Sequence, residues 1–463
     1  MSTPPNRSHY RPAAQQPAED PAAANRTEGV RKRTQPTRHR AAEQTGETAG
    51  IVRWYHHVTG LLLGAVVAVL VRGSQFPGDL GSLWIAGLLV RNDDLENLYA
   101  IDDTDFALIS GDAWHTAYEQ SDVSAYPHPF VHTPFVADVM AWVTRVLSFD
   151  SAVFWMTVLS GWALVVFIVA AWRFWFEDEI PPGYLALGML LGWLTTAFQA
   201  ALYLGQTSPF IFAGVAYGLA AARNYPVRAG LALGAVAVVK LTPVVLVVTC
   251  LLFPRARKAG LVAMLFGMCA VVISIISLGF STFVTWVETL QELNAAALVA
   301  PNNGAINSLL NMEASEFPDV FVNILHDPPL WTSLTARIIA LSLLAVVVAT
   351  AWRSSEPWKI ASVGIFTTLM ATSSILWDHY VLIAALPLLG VLARGHGWVL
   401  YLVPACAVFA FPPLAALDSD RWFMPAALTT MVSSVLVLCI AEWRRPKIQR
   451  RLRRRPGNAS LVQ

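Results

Sequence analysis

The stretch Ala229–Phe253 reads AGLALGAVAVVKLTPVVLVVTCLLF, an apolar run of bilayer length cut near its middle by Lys240-Leu241-Thr242-Pro243. About 20 apolar residues cross a bilayer as a helix, because lipid offers an open backbone no hydrogen-bond partner. A proline inside such a run removes a backbone donor, and a lysine there must find polar company. Basic loops bound the run on both sides, Arg223–Arg228 before it and Pro254–Lys258 after it. The positive-inside rule places both loops in the cytosol. The spacing therefore predicts two short helices that fold in and back, with Lys240 at the outer tip. A single kinked span with Lys240 facing a cavity is the alternative.

Working outward, the rest of the chain repeats the membrane signal. Of 463 residues, 55% are hydrophobic and 14% charged, where a soluble protein carries about 25% charged residues. Val58–Val71, Trp155–Trp172, Leu185–Leu204, Ile338–Trp352 and Ala426–Ile440 contain no charge. The expected fold is an all-α polytopic membrane protein of about 12 transmembrane helices, some re-entrant or broken. A net charge of +1 points to no nucleic-acid partner. Cys250, Cys269, Cys406 and Cys439 all sit in apolar runs without metal-ligand or disulfide spacing, and read as small core residues.

Three regions follow. Residues 1–50 hold eight Lys/Arg and five Asp/Glu with almost no large apolar residue, too little to bury for folding. This segment has no apolar signal core and is expected to stay on the mature protein as a disordered cytosolic tail. Residues 51–443 form the membrane domain. Residues 444–463 carry eight Lys/Arg and no acid, a second cytosolic tail. Loop charges then alternate backwards from the C-terminus: Ala415–Trp422 outside, Arg394–Gly397 inside, Leu376–His379 outside, Arg353–Lys359 inside. Earlier in the chain, Gly205–Ser208 falls outside and Arg173–Glu179 inside, which leaves Phe135–Phe149 as a re-entrant or interfacial helix. Two large outer loops result, 72–133 and 280–330. In the second, Phe283, Trp286, Val287 and Leu290 lie opposite Glu288 and Glu292, the spacing of a helix on a membrane surface.

The polar groups gather on the outer side of this topology. Asp79 follows the first span, between Phe76-Pro77-Gly78 and the apolar Leu80–Val90; a carboxylate beside partly buried surface is expected to have a raised pKa and to be able to serve as a general base. His128 and His132 end the same loop within Tyr126–Pro134, where three prolines forbid the helix that a four-residue metal-binding spacing needs. No metal site is expected. Gly205-Gln206-Thr207-Ser208-Pro209 opens an apolar run, with Ser208 read as N-cap and Pro209 in the first turn; such a helix start attracts phosphate. Asn302, Asn303 and Asn307 lie in the second outer loop, placed to hydrogen-bond sugar hydroxyls or form a turn. Trp377-Asp378-His379-Tyr380 packs aromatics, an acid and a base between two spans. An interfacial aromatic belt accounts for Trp377 and Tyr380 but not for Asp378 and His379.

In this order the chain resembles glycosyltransferase family 87, a membrane-embedded group of GT-C architecture. The resemblance rests on Gly78-Asp79-Leu80 with Leu98-Tyr99, Phe130–Phe135, Gly205-Gln206, Gly230–Pro243 and Ser373–Tyr380. It departs from the family at Val131-His132-Thr133-Pro134-Phe135, where Tyr-Pro-Pro-Phe is usual, and at Tyr380, often a second histidine. The resemblance implies inverting, metal-independent transfer of one sugar from a polyprenyl-phosphate donor to a lipid-linked cell-envelope glycan. The Lys-Leu-Thr-Pro block is nearer the family's mannosyltransferases, so mannose leads; an actinobacterial arabinofuranosyltransferase branching arabinan is the alternative. Asp79 matches the family's catalytic aspartate. Lys240, His379, Gln206 and Ser208 become candidates for the donor phosphate. His128, His132, Asn302, Asn303, Trp377, Asp378 and Tyr380 become candidates for sugar or acceptor. A lipid or glycan transporter is the reading from another class, and predicts ionisable groups at the midplane and two related halves; here most ionisable groups lie in loops and no internal repeat is visible. A binding-only scaffold of an envelope-synthesis complex would have no need of Asp79, Lys240 and His379 together.

Overall fold

The computed structural model describes residues 50–314, 321–396 and 420–445, with side chains from 425 onward in the last of these. The expectations for both tails and for the loop containing Asp418 and Asp420 fall wholly or largely outside the described residues. The described residues are mostly helical; their one ribbon pairs Ala297–Val299 with Asn323–Leu325, antiparallel.

Among the described residues, four helices are long and apolar enough to cross a membrane: Phe149–Phe176, Arg257–Leu278, Leu330–Arg353 and Pro425–Arg444. A fifth span is the pair Pro182–Leu194 and Thr196–Leu204, bent by 62°. Trp54–Leu70, Ser208–Ala221, Pro226–Val239 and Asp378–Leu392 are shorter apolar helices. The outward faces are oily: Leu265, Met268 and Ile276 are 59%, 57% and 79% exposed. In water such a surface would drive association, whereas in lipid it is solvated. The chain is a helical membrane protein, and by length and composition its described spans fall short of twelve. The uncharged run Leu185–Leu204 is not one straight helix, because Thr195 interrupts it. Its backbone is extended, its hydroxyl donates to the Gly192 carbonyl at 2.7 Å, and its Oγ1 accepts from Phe198 N at 3.3 Å. A short hydroxyl side chain here replaces the helix's own hydrogen bonds.

At Lys240–Pro243 the chain turns back. Gly230 packs on Ala259 and Val262, and Gly234 on Ala263 and Phe266, so Pro226–Val239 runs parallel to Arg257–Leu278. Gly260 touches Cys250 and Leu251, so Val244–Leu252 ends beside the level at which the first arm began. Lys240 itself is extended, at φ −140° and ψ 131°, and stands at the tip of the hairpin. A single kinked span would instead have carried residue 250 past the far end of its neighbour.

The tip faces a layer of short helices. Gly78–Arg91 and Pro134–Val146 cross closely at Gly87 and Met140. With Trp114, Phe130, Phe149 and Trp286 they bury a second apolar cluster, separate from that of the long helices. The helix Phe280–Ala295 forms as its spacing predicts, but its apolar face meets protein rather than the membrane surface. Trp286 is buried, and Phe283, Val287 and Leu290 pack on the same cluster. The two large loops are one structure. Asp105 Oδ2 and Oδ1 accept from the backbone N–H groups of Phe321 and Val322 at 2.8 and 2.9 Å. Phe106 N donates to Val322 O and Ile324 N to Thr104 O.

At the opposite end of Phe149–Phe176, about 42 Å away at 1.5 Å per residue, buried charges join the spans. Lys359 pairs with Glu177 at 2.7 Å and Glu356 at 3.1 Å. Arg394 pairs with Glu442 at 2.6 Å, and Arg445 with Glu356 at 2.9 Å.

Candidate active site

Asp79 stands in the first turn of Gly78–Arg91, and the preceding residues are tied to the bent span. Gln75 Nε2 donates to Leu202 O and Thr157 Oγ1, both at 2.9 Å, and Phe76 N donates to Tyr203 O at 2.9 Å. Gly205 closes that span at φ +69°; a Cβ there would lie 2.9 Å from Leu80 Cβ. A left-handed conformation and a contact this close both require glycine. The segment 123–127 lies over the same first turn, because Gly81 leaves room for Val123 and Pro127.

That approach delivers His128. Its Nε2 is 2.7 Å from Asp79 Oδ1, its Nδ1 is 2.7 Å from Pro129 O, and its ring stacks on Phe106. His132 and Thr133 run on to the hairpin, where His132 Nδ1 meets Val239 O and Thr133 Oγ1 donates to Val238 O, both at 2.8 Å. Helix C-termini carry unsatisfied carbonyls; here the loop satisfies them and so fixes Lys240. The ammonium of Lys240 lies 3.4 Å from the centroid of the Tyr380 ring, a cation–π contact. Next to it, Asp378 Oδ1 accepts from His379 N at 2.7 Å and faces His379 Nδ1 at 3.1 Å.

Four distant segments thus meet. His128, His379 and His132 lie close enough for their charged forms to act on Asp79, and the charge of Asp79 acts on Lys240. Burial pushes the Asp79 carboxyl up, as its sequence position suggests, but the charge and hydrogen bond of His128, with smaller contributions from His379 and His132, together hold the group below the ordinary carboxylate range. Burial lowers His132 to about 4 despite its bond to the Val239 carbonyl, so it is neutral at pH 7. Asp79 Oδ2 and His379 Nε2 are out of solvent and have no hydrogen-bond partner among the described residues. Among those residues, no group of three or more His, Cys, Asp or Glu is placed to hold a metal ion.

Other sequence candidates stand differently. Asn303 is fully buried; its amide donates to Leu298 O and Ser374 O and accepts from Ala305 N and Leu376 N. It is spent on joining the second loop to the 374–377 segment, so a sugar contact would have to break one of these bonds. Asn302 Oδ1 is buried with no partner among the described residues. Trp377 is half-buried and bridges to Asn303. Thr207, not Ser208, is the N-cap of Ser208–Ala221, and no side chain caps that end; Ser208 is buried inside the first turn. Gln206 N donates to Ala201 O at 2.8 Å, which closes the bend before it. Sequence reasoning placed His128 with the sugar and did not pair it with Asp79, and it missed Asp105. The prolines flanking His128 were a signal that its position is fixed, though not of what it faces.

A family model described as glycosyltransferase family 87 matches residues 130–373. The chain belongs to glycosyltransferase family 87. Neither a curated protein nor a solved structure matches it significantly. The matched residues hold His132, Lys240 and Asn303, while Asp79 and Tyr380 lie outside them and reach this part of the glycosyltransferase only through the fold.

Proposed function

We propose that this family 87 glycosyltransferase has a GT-C-type architecture and moves one sugar, mannose first, from a polyprenyl-phosphate donor to a lipid-linked cell-envelope glycan. The reaction takes place on the outer face, with both tails cytosolic. The observation that carries the reading is the meeting of Asp79, Lys240 and His379 at one end of the helices, opposite the basic loops.

The reaction is a single displacement with inversion. The acceptor hydroxyl oxygen forms a bond to the anomeric carbon as the bond from that carbon to the phosphate oxygen breaks. The hydroxyl proton passes to Asp79 Oδ2, and the electron pair leaves on the phosphate. A hydroxyl is far too weak an acid to attack unaided at neutral pH, so the base accelerates the step by about a hundred- to ten-thousand-fold. Lys240 and His379 Nε2 balance the charge on the departing phosphate. Gln206 and the helix start at Ser208 are further phosphate contacts. One phosphate carries little enough charge for side chains alone to meet it. Asn302, Trp377, Asp378 and Tyr380 border the space for sugar and acceptor, and His132 presents a neutral imidazole there.

The test is transfer in vitro from polyprenyl-phosphate mannose and, separately, polyprenyl-phosphate arabinofuranose, with glycan acceptors and linkage analysis. Mannose transfer with inversion, unaffected by chelators, is expected. Asp79→Asn keeps shape and an acceptor but cannot take the proton, so it should bind donor and lose about a hundred-fold or more in rate. Near wild-type turnover by Asp79→Asn would remove the base from this position.

A further inference from the structure

His128 holds two acceptors at once. A carbonyl oxygen only accepts, so the 2.7 Å contact with Pro129 O requires a proton on His128 Nδ1. The 2.7 Å contact between His128 Nε2 and Asp79 Oδ1 requires one more proton between them. Either an imidazolium faces a carboxylate, or a neutral imidazole faces a carboxylic acid. Two placements select the ion pair. Asp79 is in the first turn of a helix, where free N–H groups and the helix dipole favour negative charge. Lys240 is also near enough for an ionised Asp79 to favour its charged form. The ring is held by Phe106 stacked at 6.2 Å and by prolines on both sides in the chain, Pro127 and Pro129.

We propose that His128 is a positioning residue: as an imidazolium it anchors Asp79 Oδ1, keeps the carboxylate ionised, and leaves Oδ2 as the oxygen that meets the acceptor hydroxyl. This rests on reading Asp79 as the base. Oδ2 has no partner among the described residues although it is out of solvent, which is the state a base needs before its substrate arrives. Pairing weakens the carboxylate as a base, yet an unpaired carboxylate in this buried place would pick up a proton and be unable to act. His128 itself transfers no proton.

The groups that face Asp79 besides His128 are His132, His379 and Lys240, and Asp378 pairs with His379. His132 titrates near 4, so the measured quantity is the shift between two proteins and not the position of either limb. The full-length enzyme in nanodiscs, with nitrogen-15-labelled histidine, is compared as wild type, His128→Gln and Asp79→Asn, by ring-nitrogen NMR and by the pH profile of kcat/KM. Glutamine can donate one hydrogen bond but carries no charge. At pH 7 the wild type should show one imidazolium that is missing in His128→Gln and titrates as an ordinary histidine in Asp79→Asn. The acid limb of His128→Gln should move up by roughly one to three pH units, the usual effect of losing an opposite charge at this range. A neutral His128 ring in a wild type that needs Asp79, or an acid limb that does not move, would overturn the pairing alone. A fully active Asp79→Asn would overturn the base reading and the positioning role with it, even with an imidazolium present.

Discussion

At the scale of single residues, the environment decides what each charge is for. Lys240 has an aromatic face under its ammonium and no carboxylate bonded to it among the described contacts, so its charge is available to an incoming anion. Lys240→Met keeps the stem packed and removes the charge. A charge-assisted contact contributes on the order of 1.5–3 kcal/mol, so a loss of roughly ten- to a hundred-fold in transfer is expected at unchanged yield of folded protein. Steady-state rates beside a gel-filtration profile measure both. The acids of the first outer loop divide in the same way. Asp105 is buried, and its carboxylate takes the N–H groups of Ala107, Phe321 and Val322. Asp103 is exposed. Asp105→Ala leaves those donors unmet, at about 1–3 kcal/mol for each that water cannot reach, and should lower the melting temperature and the yield. Asp103→Asn should change neither. Equal melting temperatures for the two variants would show that Asp105 does not join the loops.

At the scale of elements, the site depends on joints between short helices. Gly205 is the joint between the bent span and the first turn carrying Asp79. Its φ of +69° costs a residue with a Cβ about 1–2 kcal/mol, and the added methyl meets the Leu80 Cβ at 2.9 Å. Leu80 follows Asp79 in the same turn, so relief of that contact displaces Asp79, the proposed base. Gly205→Ala should therefore lower kcat together with thermal stability, whereas Gly111→Ala, also at positive φ but with nothing within 4 Å, should lower stability alone. Thermal melts and initial rates on the two variants separate strain from misplacement; equal rates in both would show that Gly205 matters only for folding.

At the scale of the whole molecule, the helices put the polar cluster at one end and the basic loops at the other. If the positive-inside reading of Arg223–Arg228 is right, Gln120 and Asn224, both exposed, face opposite compartments. In a chain whose own cysteines are replaced, Gln120→Cys should react with an impermeant maleimide added to intact cells, and Asn224→Cys only after permeabilisation. Labelling of Asn224→Cys in intact cells would reverse the orientation and put the transfer on the cytosolic side. At the basic end the buried pair Arg394–Glu442, and the buried Lys359 with its exposed partner Glu177, let charges sit between spans there without facing lipid.

The sequence by itself determined the medium, the break at Lys240-Leu241-Thr242-Pro243, and the family, because each is written locally. A charge or a proline inside an apolar run has an energetic meaning that neighbours in the chain already reveal. It also picked out Lys240 as a charge inside an apolar run, and Asp79 and His379 as polar groups beside apolar runs on the same side. Only the tertiary structure decided that the break is a hairpin rather than a kink, because that depends on which residues of Arg257–Leu278 the two arms touch. Only it joined the two outer loops through Asp105, across 216 positions of chain. It also seated His132 on the carbonyl of Val239, 107 positions away, and set His128 against Asp79. Such pairs are selected by packing and by the need to satisfy buried polar atoms, and neither leaves a periodic or compositional trace in one chain.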